Sequence, residues 1–345
     1  MREIRGSTVK SGKRLQLSLS GQGDPWSSKH YRSLLKYMAQ HDLDLQLSLR
    51  TNGLLMTRAR WTEYSGLEKY RPLLDVSIDA CRPWSFAVVR RNGDWNKLEE
   101  NLYFMAEKHK EGVFSEFYIN ATVQLDNFHE LAEMVRLGKK LGCTGVRFYM
   151  IQNTGDHVAA DYPKKNVADP EHPLHAAFLE TLRDPIFDDP ICQLYDLETM
   201  RKKSFATKLE CDGATFESPE ACAEIAQSYL DADDPSKAVE VASHGRRVFG
   251  LCPALLIQEA SGIEGLGFSG PALYRYHELS QASPDDVQAM VALGTALVES
   301  GDIKAGVRKL VDAVAASERP ELHDLVAGYI TDLVKPRRVA LPMQR

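Results

Sequence analysis

The sequence contains no uninterrupted stretch approaching the roughly 18 apolar residues that a membrane-spanning helix needs. Its opening, "MREIRGSTVKSGKR", is too charged to serve as a signal peptide. There is no basic excess either. Forty-two Lys and Arg against 48 Asp and Glu give a formal charge of −6, which argues against a dedicated nucleic-acid binder. The small cluster Lys335-Pro336-Arg337-Arg338 reads as a solvated terminus. Closely spaced cysteine pairs are missing as well. The six cysteines stand at 81, 143, 192, 211, 222 and 252, no two closer than eleven positions. That spacing excludes CxxC-type zinc and redox motifs and supplies no disulfide framework, so free buried thiols are expected. Together these absences point to a cytoplasmic protein with neither a membrane nor a nucleic acid as partner.

What is present is enough for two domains. The chain has 345 residues, 43% of them apolar and 26% charged, which allows two separate cores. Residues 14–19, "RLQLSL", alternate with the period of a strand. Serines at 27–28 cap a predicted helix over 27–41, with Tyr31, Leu34, Leu35 and Met38 on one face. Further strands are predicted over 43–49, 73–79, 117–125 and 145–152, and further helices over 58–69, 95–109 and 127–142. The last of these begins at an Asn127 cap and ends at Gly142. This alternation implies parallel strands joined by right-handed crossovers, hence a barrel or a doubly wound sheet. Ligands in such folds sit at the carboxyl ends of the strands, which here read GQGDP, TNG, SIDACR, TVQLDN and IQNTG. From 155 to about 215 the pattern loosens into a short helix, "DPEHPLHAAFLETL", and a Pro-rich loop, "DPIFDDPICQLYDL". His172 and His175 are separated by Pro173 with no third ligand near, and are not expected to share a metal.

Beyond residue 215 the strand signals end and the chain resembles itself at one fixed offset. Ala226, Ala260 and Gly294 fall in register, as do Ala238, Ala272 and Gly306, and Tyr229, Ile263 and Leu297. The period, about 34 residues, is that of the tetratricopeptide repeat. Small residues in the first two sets let paired helices approach, and the third set fills the space between them. The middle unit departs by placing Glu259 at a core position, which leaves its helix boundaries open. Gly265, Gly267 and Gly270 spell GxGxxG, but a dinucleotide site needs a strand before it. Here it is expected to be an inter-helix loop. The chain is therefore expected to divide into residues 1–204 and 205–345.

The segments "SGQGDPWSSKHYRSLL", "LRTNGLL", "VSIDA" with "VVRRNGDWNKLEENL", "TVQLDNFHE" and "GVRFYMIQNTGD" resemble, in this order, the radical SAM superfamily. The likeness covers roughly residues 13–200. It implies a partial parallel (β/α) barrel, an α/β fold, showing five of the six family strands and followed by an all-α helical-repeat domain. It also implies S-adenosylmethionine as cofactor. By this resemblance the turn Gly21, Gly23, Asp24, Pro25 contacts the methionine amino group, with Asp24 where the family has Glu. Thr51 and Asn52 line the next strand end, Ser77 and Asp79 lie near the ribose, and Arg90 faces the methionine carboxylate.

The chain departs from the family at one decisive place. The CxxxCxxC whose thiolates hold a [4Fe-4S] cluster is absent, and the earliest cysteine is Cys81. Without those ligands no electron reaches the sulfonium, so radical chemistry by this chain alone is not expected. The missing strand also leaves "RLQLSL" with an unpaired edge that invites association. A start placed too late, a true truncation, or a partner that supplies the strand each accounts for it. Two readings follow. One is a radical SAM protein, or its larger portion, whose repeats recruit a protein or peptide. The other is a non-catalytic scaffold that binds a partner through its helical repeats.

Overall fold

The structure, a computed structural model, describes residues 15–19, 24–91, 93–153, 161–207 and 215–334. The chain divides into two compact units, Met1–Asp212 and Gly213–Arg345. Among the described residues no helix is long and apolar enough to cross a membrane.

The first unit is built on a six-stranded sheet of β1 (Leu15–Leu19), β2 (Leu45–Thr51), β3 (Leu73–Ser77), β4 (Glu116–Val123), β5 (Gly145–Met150) and β6 (Cys192–Gln193). Every pairing is parallel and the strands lie side by side in chain order. Between the first five strands come α1 (Lys29–Gln40), α2 (Arg58–Thr62), α3 (Pro83–Val89), α4 (Trp95–Lys110) and α5 (Leu131–Leu141). Consecutive order with right-handed crossovers turns every connection to the same side of the sheet. A doubly wound sheet would reverse its order partway, and this one does not.

That side is the apolar one. Val76, Ile119 and Val146 stand in register across β3, β4 and β5 and are buried. A Cβ on Gly138 of α5 would come 2.2 Å from Val146, so only glycine lets that helix settle on the strand. The opposite face is polar. Its rows read Arg50, Asp75, Tyr118, Gly145, then Ser77, Asn120, Arg147, Gln193. Parallel strands buried on both faces read as near-continuous apolar runs, and the alternating burial of β1 and β2 matches a sheet with one apolar and one polar face.

Several boundaries differ from the sequence reading. The five expected strands are present, and a sixth, β6, lies within the Pro-rich segment read as a loop. At two residues it is too short to leave a period, and it is held by pairing with Val146 and Arg147. Its neighbours are α6 (Tyr162–Lys165), α7 (His175–Leu182) and α8 (Leu197–Ala206). The helix expected over 58–69 breaks into α2 and a 3₁₀ segment, Ser65–Tyr70, where Gly66 lies so close to α1 that a Cβ would sit 2.2 Å from the Ala39 carbonyl. Asn127 does not cap a helix with its side chain.

Among the described residues the second unit is all helix: α9 (Pro219–Asp231), α10 (Pro235–Phe249), α11 (Pro253–Gly265), α12 (Ser269–Ala282), α13 (Val287–Glu299), α14 (Ile303–Ala316) and α15 (Pro320–Val334). Each helix packs on the next, and α9 also packs on α11. Small residues sit where helices cross. A Cβ on Gly306 would come 2.6 Å from the Gly294 carbonyl, and one on Gly245 2.5 Å from the Cys222 sulfur. The middle pair of helices is complete. Gly265 closes α11, Gly267 turns at φ +82°, and Gly270 lies in the first turn of α12, so the GxGxxG letters mark a helix–helix turn.

Glu259, the residue out of pattern, heads a buried ionic network. Its Oε2 accepts from Arg246 Nε at 2.9 Å and its Oε1 from the Ser243 hydroxyl at 3.0 Å. Arg275, 1% exposed, places Nη2 3.0 Å from Glu259 Oε1 and donates Nη1 to Glu278 at 2.5 Å. The Nη2 contact is an ion pair without hydrogen-bond alignment, and Arg275 Nε has no hydrogen-bond partner. The carboxylate is nonetheless held below its usual pKa, since Arg246 and Arg275 together outweigh its burial.

Candidate functional site

The strand ends of the first unit carry two tight clusters. In the first, Asp24 follows β1 and is 6% exposed. Its Oδ1 accepts the Trp26 amide at 2.9 Å, and its Oδ2 accepts the Thr51 hydroxyl at 2.5 Å and the Asn52 amide at 2.9 Å. Three donors thus converge on one buried carboxylate and fix the turn around it. Pro25 is buried in the same turn. Gly21 and Gly23 lie outside the described residues. Asn52 Oδ1 takes the Leu54 amide, closing an Asx turn over Gly53 at φ +78°. A Cβ on Gly53 would come 2.6 Å from Leu98. Asn101, on α4, donates to the Gly53 and Leu54 carbonyls and pins the turn from behind.

The second cluster follows β3. Asp79 adopts φ +56°, a conformation that costs a non-glycine residue about 1–2 kcal/mol. Its carboxylate compensates locally: Oδ1 takes the Thr122 amide at 2.7 Å, and Oδ2 meets Arg90 Nη2 at 2.5 Å. Burial pushes the Asp79 carboxyl up, and Arg90 opposes that rise. Arg90, at the end of α3, also reaches the Ser77 carbonyl at 3.4 Å, while its Nε is buried without a hydrogen-bond partner. Asn127 ties this cluster to β4 by donating to the carbonyls of Asp79 and Thr122.

A cleft of about 780 Å³ joins the two strand ends. Asn52, Arg90 and Arg91 line it, with Asp126, Asp161 and Lys165 completing its polar lining. Lys165 stands 3.7 Å from Asp126, whose carboxyl burial pushes up against that ammonium. The structure thus brings Asn52 and Arg90 to one opening. Asp24 and Thr51 support it from beneath through the Asn52 backbone, and Ser77 and Asp79 hold Arg90.

Sequence reasoning missed Asn101, Asn127 and the Asp126–Lys165 pair. It also missed Glu130, which is fully buried and accepts from the amide and thiol of Cys81 at 2.8 and 3.2 Å. Its Oε1 has no hydrogen-bond partner, and burial raises its pKa to about 8. The run "NFHE" offered a signal only as a helix start. On the polar sheet face, Asp75 is buried and bonded to Asn120, with Arg50 at 3.2 Å and Arg147 at 3.5 Å. Arg147 lies over the Tyr118 ring, and Tyr149 stacks on Tyr195 at 4.9 Å.

Among the described residues neither sulfur nor imidazole assembles a metal site. The described cysteines, at 81, 143, 192, 222 and 252, are free. Among the described residues no group of three His, Cys, Asp or Glu is placed to hold a metal ion. Burial and the adjacent Glu130 drive the Cys81 thiol well above its usual pKa, the reverse of what a thiolate ligand requires. These residues do not fit a [4Fe-4S] cluster. His172 and His175 turn ring nitrogens to the carbonyls of Lys164 and Val167.

No protein-family model and no curated protein matches the chain. Among solved structures, yeast Tom70 aligns with a TM-score of 0.30 and 13% identity over 96% of this chain and 58% of that one. The chain thus spans less than two thirds of the Tom70 chain. The complex of the TPR2AB domain of yeast Sti1 with pHSP90 aligns with a TM-score of 0.30 and 12% identity, over 88% of this chain and 97% of that one. Overlap at this level carries no functional argument.

Proposed function

We propose that the chain is a binding protein whose helical array receives a protein or peptide segment. One observation carries this reading. Helices α9–α15 form a stack in which each packs on its neighbour and α9 also reaches α11. Stacked repeats bury their own core and leave the outer sides of alternate helices as a continuous docking surface. The residues at those positions support it. Gln227, Ser261 and Thr295 share a register one repeat apart, as do Glu224, Gln258 and Ala292, and all are half-buried or exposed. The test is selection of displayed peptides on the full chain, followed by affinity measurement with Ala292→Trp and with a bulky substitution at Arg308 of α14. The reading expects selected peptides to lose affinity with the first and keep it with the second. Failure to select any peptide tighter than about 1 mM, roughly −4 kcal/mol, overturns it.

A second reading concerns the strand-end cleft, which we infer takes S-adenosylmethionine or a close analogue. What favours it is the unpartnered Arg90 Nε beside a cleft that also holds Asn52, together with the resemblance of the surrounding segments. A guanidinium already braced by Asp79 is oriented for a carboxylate. When bound, that molecule supplies a sulfonium. The residues named here bind and orient it, and no step through an iron–sulfur cluster is assigned to them. Calorimetric titration of the full chain with S-adenosylmethionine tests this, the expected result being binding that Arg90→Leu weakens at least tenfold. Absence of heat at millimolar ligand refutes it. The outer edge of β1, unpaired among the described residues, is a further proposed contact for a strand-supplying partner or a second copy of the chain.

A further inference from the structure

The array sorts its charges by helix. Odd-numbered helices α9, α11, α13 and α15 contain no Lys or Arg. Their exposed charged residues are Glu220, Glu224, Asp231, Glu264, Glu299, Glu321 and Asp324. The even-numbered helices carry the cations, Lys237, Arg246, Arg247, Arg275, Lys304, Arg308 and Lys309. A zigzag of helices places alternate members in the same layer, so the helices on one side of the stack carry acids and no Lys or Arg. Every Lys and Arg on the described helices of this unit falls on an even-numbered one.

On that side lies a groove of about 910 Å³ between α13 and the start of α15. Val287, Val291, Ala292, Ala316 and Leu322 give it an apolar floor, and its rim holds Asp286, Glu318 and one cation, Arg319. Val291 and Leu322 are partly buried against the Leu310 and Val326 cluster, so the floor is anchored rather than loose.

We propose that this groove, with the acidic side of the odd helices, docks a partner segment in which Lys and Arg bracket one or two apolar side chains. The assignment rests on the reading of the array as a peptide receptor and names its partner's chemistry. An apolar anchor supplies buried area in the groove, and the flanking cations meet carboxylates with no competing cation on the same helices. An acidic segment would meet like charge along the whole layer.

The test uses the full chain and a fluorescein-labelled peptide of about twelve residues interleaving Leu and Val with Lys and Arg, beside a twin carrying Glu at each cationic position. Fluorescence anisotropy should show binding of the cationic peptide that weakens about tenfold between low salt and ~0.3 M salt, with the acidic twin silent. Glu224→Lys with Glu321→Lys and Asp324→Lys should weaken it about tenfold or more. Ala292→Trp, which fills the groove, should do the same at unchanged helix content. Lys304→Glu with Arg308→Glu, on the even side, should leave affinity unaltered. Preferential binding of the acidic twin sinks the charge assignment while sparing the receptor reading, whereas silence from both peptides sinks the two together. Tighter binding after removal of residues 335–345, which carry Lys335, Arg337, Arg338 and Arg345, would make the chain's own tail the occupant and overturn the partner assignment.

Discussion

Replacing Arg275 by Met removes the centre of the buried ionic network and leaves carboxylates facing a hydrocarbon chain of similar length. Glu259 keeps Arg246 and Ser243, whereas Glu278 keeps only the Tyr274 hydroxyl, at 3.2 Å, among its hydrogen-bond partners. Breaking a buried ion pair from one side costs about 3–5 kcal/mol. With a urea slope of about 2 kcal/mol/M for a domain of this size, the midpoint of helix loss should fall by about 2 M. The deficit should also depend on pH. Arg275 is one of the two cations that hold Glu259 below its usual pKa in the native chain, so the stability it confers is present above the unfolded pKa and fades as pH falls. That loss narrows the gap near pH 4 and leaves it widest at pH 7.5. The assay is urea unfolding followed by circular dichroism at 222 nm at those two pH values. A deficit below about 1 kcal/mol at both, or one independent of pH, refutes the claim that Arg275 neutralises buried carboxylates.

Three further outcomes are expected. Asp24→Asn should destabilise the first unit by about 1–3 kcal/mol, because an amide offers one acceptor oxygen to three converging donors. Tryptophan fluorescence reads this unit selectively, since Trp26, Trp61, Trp84 and Trp95 all lie in it, and an unchanged urea midpoint would count against the cluster. Gly306→Ala should cost about 1–3 kcal/mol by overpacking the crossing with Gly294, measured by thermal unfolding, and a neutral or raised Tm would show that the helices part without strain. Glu130, with a pKa of about 8, should make stability fall as pH rises from its unfolded value towards 8 and flatten above it. Glu130→Gln should abolish that slope, and persistence of the slope would assign it elsewhere.

The alternation of strands and helices was readable because one sheet face is apolar and the other wet, so period two survives in the letters. The small residues of the array were readable for a similar reason: a repeat writes the same packing demand once in every unit, as Ala226, Ala260 and Gly294 do. Local rules failed where tertiary demands took over. "DVSID" continues a strand pattern, yet β3 stops at Ser77 because Asp79 turns to φ +56° to reach Thr122 and Arg90. Asn127 has the identity of a cap, but both hydrogens of its amide go to strand-end carbonyls. Strand β6 has no periodicity because it has only two residues. At the cleft, Asn52 and Arg90 were legible as residues after strands, but Asp126 lies after β4 and Asp161 and Lys165 at the two ends of α6, and only folding brings them to the same wall. Glu259 stood out as a breach of pattern, and its cations, Arg246 on the preceding helix and Arg275 on the following one, became visible only through packing.

The side-by-side order of the six strands has an architectural consequence. In a wall assembled plank after plank, the terminal plank pairs, among the described residues, with one neighbour. Units can be added or lost at that border without rerouting the chain, and the rim at the strand tips stays aligned for the planks that remain. A sheet whose first strand lay at its centre would be split by the same deletion. The border at β1 is thus the place where this fold tolerates growth, and a grafted βα unit there would lengthen the same rim.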